Sequence, residues 1–273
     1  MFKDSTYRNV TLYALLVIGL TFILFLSGIP FLKMLGQLTP FLVLIPFLLF
    51  SKRPHRFREL GLSRVGHYRW YLVSLIIIGL LIISFLLAWV TGFIQLPPAS
   101  QFPNGMADHS GRFILLLKTF FHPAFFLTPI LFSLFEEMGW RGYVQARLQP
   151  KLGLNGTVLY TALIWTLFHL PFIFMGGYYT SGHFILNTAL FTIAVFILSI
   201  FMGYMRAYSQ SLWPVIFLHA GINHIRSFLD ILFYNKQSSW TYVTGESGLY
   251  TLLLWSGLIL LIWLKQNNRQ QLC

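Results

Sequence analysis

The sequence predicts an all-α protein, a multi-pass transmembrane helical bundle of about eight spans with both termini cytoplasmic. Three observations predict it. Hydrophobic residues fill 56% of the 273 positions and charged residues only 10%, with a mean hydropathy of +0.70. A soluble domain carries about 25% charged residues, so too little polar surface exists to cover a water-exposed ball of this size. Apolar runs close to the ~20 residues needed to cross the hydrocarbon layer follow one another along the chain. The basic residues gather in the loops that share one side. The apolar content also excludes intrinsic disorder.

The predicted spans are Val10–Ser27, Phe31–Phe50, Trp70–Ile94, Pro123–Val144, Asn155–Gly176, His183–Tyr204, Leu212–Leu232 and Gly248–Leu264. None alternates in polarity as a barrel strand does, so each reads as a helix. Lys3 and Arg8 before the first run imitate a secretory signal, but no small-residue cleavage pattern follows, and the run is expected to be retained as a span. Residues 112–122 extend the fourth span or lie at the interface. Placing both termini inside leaves only Lys33, Arg112, Lys118, Arg226 and Lys236 of the 19 Lys and Arg residues outside or near the outer ends. The loop 51–69 carries Lys52, Arg53, Arg56, Arg58, Arg64 and Arg69 and is expected to touch anionic membrane lipids. The net charge of +12 thus reflects topology, and no nucleic-acid partner is inferred. No repeat or linker divides the chain, so residues 1–273 read as one membrane domain with a motif-bearing core over 123–232. Its localisation is the cell membrane. The single cysteine, Cys273, excludes an internal disulfide and a cysteine zinc site.

Ionisable side chains inside apolar spans are costly and mark function by default. Of the seven acids, Glu136 and Glu137 are adjacent within the apolar segment Phe125–Tyr143. Two neighbouring carboxylates do not readily ionise together in a low dielectric. Arg141, four residues after Glu137, shares its helical face and can neutralise it. Glu136 lies about 100° around the helix and is left as the unpaired carboxylate. His169 interrupts the fifth span. His219 and Asn223, four apart in the seventh, share a face, while His224 points elsewhere. At 1.5 Å per residue, Glu136 and His219 lie roughly 10–12 Å from their cytoplasmic helix ends, and His169 near 20 Å unless its span begins later. Pro171, Gly153 and Gly156 soften that boundary, so the groups can meet in one cavity open to the cytoplasm. His55, His67, His109, His122 and His183 fall in loops or at span ends, and no role is assigned to the i,i+4 pair Arg226 and Asp230.

Glu136-Glu137-Met-Gly-Trp-Arg141-Gly142, then Phe168-His169, then His219-Ala-Gly-Ile-Asn223 resembles the CAAX protease and bacteriocin-processing family. The family is also called Abi and includes the type II CAAX prenyl endopeptidases. The three elements occur in order on separate predicted spans across residues 136–223. The resemblance implies an intramembrane endopeptidase without a serine or cysteine nucleophile. Glu136 and His169 would activate a water, His219 and Asn223 would stabilise the oxyanion, and Glu137 with Arg141 would form a supporting ion pair. The substrate would be a peptide or lipidated peptide, either a CAAX-type C-terminus or a bacteriocin or signal peptide. One departure stands out, since the family's second motif usually has Phe four residues before the histidine and this chain has Trp165.

No cofactor is required by the sequence. A carboxylate with histidines can nevertheless hold a divalent metal such as zinc, with Glu136, His169 and His219 as candidates. His-Glu-x-x-His, Gly-x-Gly-Asp and Gly-x-Ser-x-Gly are absent. Two other readings use the same residues. A proton-coupled transporter would use the Glu/His cluster as a relay, though the paired repeats of transporters are missing. A non-catalytic immunity or binding protein of the same fold would have no need of the complete set.

Overall fold

Proline fixes the first departure from the predicted spans. Pro40 lacks an amide hydrogen, and its ring would collide with the carbonyl of Gly36, four residues back. The expected second span, Phe31–Phe50, is therefore two helices, α2 (Pro30–Gly36) and α3 (Thr39–Leu49), bent by 56°. Thr39 seals the joint by donating its hydroxyl to the Gly36 carbonyl at 2.8 Å. The computed structural model describes residues 5–51, 55, 57–96, 109–175, 183–233 and 242–271. The other helices are α1 (Ser5–Leu26), α4 (Tyr68–Val90), α5 (His109–Phe120), α6 (Pro123–Glu137), α7 (Ala146–Met175), α8 (Phe184–Ser209), α9 (Trp213–Leu232) and α10 (Leu249–Gln271). A 3₁₀ turn covers Arg58–Leu60, and a π-helix covers Met138–Gln145. No β-strand occurs among the described residues.

Among those residues, six elements are long and apolar enough to cross a membrane, or seven when the bent pair α2 and α3 counts as one. The protein is a multi-pass integral membrane protein. The expected fourth and fifth spans fall inside one stretch, Ile114–Met175, of 62 residues. No loop separates them. The turn is made at Gly153, whose backbone (φ 67°, ψ 176°) lies where only glycine is at ease. Residues 112–122 form most of α5, set off from α6 at Phe121 and His122. Asp108, Lys236 and Cys273 lie outside the described residues, as do Lys3, Lys52, Arg53, Arg56 and Gly176.

The chain clusters into two compact units. One comprises residues 1–74, 127–180 and 198–221; the other comprises 75–126, 181–197 and 222–273. In the first, α1 packs on α2, α3 and α7, and the π-helix packs on α3, α7 and the 3₁₀ turn. Its core is aromatic. Tyr13 is fully buried, donates its hydroxyl to Pro40 O at 2.7 Å, and packs against Phe47, Trp140 and Tyr143. In the second unit α10 is fastened to α4 by Thr251 Oγ1 to Ser84 Oγ at 2.7 Å and Trp255 Nε1 to Ile77 O at 3.0 Å. His224 is boxed there by the rings of Phe120, Phe125 and Phe126. Arg226 holds Asp230 at 3.2 Å and also Glu246 at 2.8 Å, a second carboxylate that sequence spacing does not reveal.

The π-helix contains two glycines, and Gly139 is where one is needed. A methyl group there would run into the Tyr13 hydroxyl and touch the Pro40 side chain. Tyr13 is buried and its hydroxyl is engaged, so the neighbour has little room to give. Gly139→Ala is expected to cost about 1–3 kcal/mol by overpacking, read as a lowered melting temperature in detergent. Gly19→Ala, which meets nothing within 4 Å, is the neutral control.

Candidate active site

Two glutamates at the end of α6 stand where the backbone changes from α to π geometry. Such π segments are rare and concentrate at functional sites. Glu136 is 5% exposed, and Glu137 and Arg141 are fully buried. A buried charge survives only when it is paired and hydrogen-bonded, and Glu137 and Arg141 are both. Arg141 Nη1 donates to Glu137 Oε1 at 2.9 Å, while Arg141 Nη2 donates to Ser199 Oγ of α8 at 3.2 Å. The face of its guanidinium lies 4.4 Å from the Trp165 ring centroid, a cation–π contact that counts for more when desolvated.

Glu137 Oε1 serves a second partner, since His219 Nδ1 lies 2.9 Å from it. An ionised carboxylate only accepts, so Nδ1 carries the hydrogen, and Nε2 is the ring atom left for chemistry. The same logic applies to His169. Its Nδ1 sits 2.8 Å from the Trp165 carbonyl, which also only accepts, so its Nε2 holds the lone pair when the ring is neutral. Both tautomers are therefore set by their surroundings.

Glu136 is not the free carboxylate that the sequence suggests. Trp165 Nε1 donates to Glu136 Oε2 at 2.9 Å, and Oε1 accepts no hydrogen bond among the described residues. Trp165 does more than keep an aromatic in place. Its ring centroid also lies 5.7 Å from that of His169 and 5.4 Å from that of His219. One indole thus touches Glu136, Arg141, His169 and His219. Sequence reasoning noted Trp165 as a departure and missed this role; the available signal was its i,i+4 spacing from His169 on one helical face. Ser199 gave no signal beyond being a small polar residue in an apolar helix.

The structure thus brings together Glu136, Glu137, Arg141, His169 and His219 within one compact unit. Asn223, half-buried, follows His219 by one turn of the same helix, α9, and belongs to the other unit. His224 Nδ1 donates to Phe125 O at 3.3 Å and stays apart from the cluster. The metal candidates do not assemble as ligands. Among the described residues no group of three or more His, Cys, Asp or Glu side chains could hold a metal ion. One oxygen of Glu136 and the Nδ1 atoms of both histidines are already committed to protein partners.

Residues 118–225 match the family described as Type II CAAX prenyl endopeptidase Rce1-like, an interval that contains every residue of this cluster. A CAAX prenyl protease 2 of Methanococcus maripaludis is 29% identical over 188 residues, 64% of this chain and 67% of that protein. The fold and site are those of a membrane peptidase, and over residues 118–225 the chain is similar to the type II CAAX prenyl endopeptidases. Both similarities point to a peptidase, and neither favours the transporter or the non-catalytic binder.

Removing one partner of a buried pair leaves the other charge unsatisfied at about 3–5 kcal/mol. Arg141→Ala and Glu137→Gln each strip the other residue of its buried counter-charge, so both are expected to lower the melting temperature markedly in detergent. An unchanged melting temperature in either variant would show that the pair contributes no such balance.

Proposed function

We propose that the chain is an intramembrane endopeptidase that hydrolyses a peptide bond with a water activated by Glu136. The observation that carries the reading is the unequal treatment of two adjacent carboxylates. Glu137 is spent on Arg141 and His219, whereas Glu136 is steadied through one oxygen by Trp165 and keeps the other. Glu136 Oε1 takes a proton from the water as its oxygen bonds to the scissile carbonyl carbon. His169, held through Nδ1, orients that water through Nε2. His219, as an imidazolium whose Nδ1–H is held by the Glu137 carboxylate, donates its Nε2–H to the developing oxyanion, the role that the resemblance also gives to Asn223. The carbon–nitrogen bond then breaks, Glu136 returns the proton to the departing amine, and a carboxylic acid and an amine are released. No metal enters these steps.

The substrate class follows from the relatives' names, a CAAX-type C-terminal sequence carrying a lipid on its cysteine. A site inside the bilayer suits a lipidated peptide, whose anchor already lies at that depth. The cavity faces the cytoplasm in this reading, because the basic loops do.

Cleavage of a lipidated CAAX peptide by purified protein in detergent tests the assignment. Glu136→Ala and His169→Ala are expected to abolish it; full cleavage by both would sink the catalytic assignment. Zinc-restored loss of activity under a chelator would replace glutamate activation by a metal mechanism. Trp165→Phe keeps the ring and deletes the N–H. Positioning groups commonly contribute tenfold or more, so kcat is expected to fall about 10–100-fold with KM little changed.

A further inference from the structure

A second feature of the same unit touches the catalytic cluster through Arg141 alone. A cavity of about 500 Å³ is lined by the side chains of Arg58, Arg64, Arg141 and Arg206, with Glu59 as its one acid. That volume falls in the range of small-ligand sites. Arg141 is balanced by Glu137, and Glu59 lies 3.4 Å from Arg147. Arg58, Arg64 and Arg206 have no carboxylate partner among the described residues. The cavity therefore carries uncompensated positive charge. Its walls are also set in advance. The loop bearing Arg64 is tied to the start of α9 by Leu212 N to Gly61 O at 2.9 Å, Ser211 Oγ to Arg64 O at 2.5 Å, and Trp213 Nε1 to Leu62 O at 2.9 Å. Arg206 Nη2 donates to Glu59 O at 2.9 Å. Its guanidinium packs where any Cβ on residue 61 would sit, space that Gly61 (φ 79°) leaves open. The Nε hydrogens of Arg141 and Arg206 are buried with no acceptor. Three arginines without a carboxylate partner around one cavity suit an oxyanion, which their guanidinium groups can hold by charge-assisted hydrogen bonds.

We infer that this cavity receives the C-terminal carboxylate of the peptide substrate. The inference rests on the peptidase reading and adds the group by which the enzyme recognises a chain end. Three extended residues reach roughly 10 Å, the length by which the tail beyond the scissile bond would carry its carboxylate away from Glu136. Interior peptide bonds bring no such anion. A phosphate of an anionic lipid has related chemistry, but the shared residue Arg141 ties the cavity to the reacting centre, which favours the peptide.

The test compares a lipidated peptide acid with its C-terminal amide, using wild type, Arg64→Gln and the double variant Arg64→Gln/Arg206→Gln. Charge-assisted hydrogen bonds support about tenfold discrimination. The acid is expected to have a KM about tenfold below the amide's in wild type. That advantage is expected to shrink to about twofold in the double variant, with kcat for the amide unchanged. The exposed Arg64→Gln change alone should give a partial loss should the double variant fold poorly. Equal KM values for acid and amide in wild type, with cleavage still abolished by Glu136→Ala, overturn the inference and leave the peptidase reading standing. Failure of wild type to cleave either peptide sinks that reading. Binding is then measured separately as thermal stabilisation by an N-acetylated aliphatic tripeptide acid against its amide. Stabilisation by the acid alone, lost in the double variant, supports the cavity's role without catalysis. In nanodiscs of phosphatidylcholine with or without phosphatidylglycerol, an Arg206-dependent stabilisation by anionic lipid without acid–amide discrimination assigns the cavity to lipid and overturns the inference.

Discussion

The Glu137 carboxylate, buried without solvent and shared between Arg141 and His219, is the interaction from which the rest of the site follows. A guanidinium taken out of water costs several kcal/mol even after relaxation, and here it is fully buried. Only a close counter-charge and further acceptors make that tolerable. Glu137 supplies the charge, Ser199 an acceptor and the Trp165 face a third contact. Because the carboxylate is ionised to serve Arg141, it fixes the proton of His219 on Nδ1. One ion pair thus joins the π-helix, α8 and α9 and sets a tautomer at the same time.

The second carboxylate is handled by a different logic. Glu136 stands beside Glu137 in sequence yet accepts from a neutral indole donor rather than a cation. A neutral partner steadies position without cancelling charge, so the group keeps its basicity for a proton. The same division makes Trp165 the junction of the site: its N–H, its ring face and its carbonyl serve Glu136, Arg141 and His169 in turn. The arginine cavity extends the arrangement beyond the reacting atoms, with Arg141 facing both.

Much of this was legible in the sequence because charge in an apolar span is conspicuous. Glu136, Glu137, Arg141, His169 and His219 stand out by that rule alone, and the Glu137–Arg141 pair follows from i,i+4 spacing. The helical class follows from composition. What was not legible depends on tertiary contact. The π-helix arises where Gly139 lets Tyr13 and Pro40 approach the backbone, which no local periodicity encodes. The Trp165–Glu136 bond joins residues 29 apart across two helices whose mutual angle the sequence leaves open. The break between α2 and α3 was readable in principle, because Pro40 cannot continue a helix begun at Pro30; the evenly apolar run hid it. The turn at Gly153 falls between the two predicted spans, at a glycine already marked as softening that boundary; what the sequence does not show is that helix runs up to it from both sides.

That turn has a mechanical consequence. The arm carrying the two glutamates and the arm carrying Trp165 and His169 are joined through Gly153 with no intervening coil. Gly153 is the residue of α7 whose torsions leave the helical region, it is exposed, and nothing lies within 4 Å of its missing side chain. The angle between the two arms is thus set by the backbone at this residue and not by side chains packed around it.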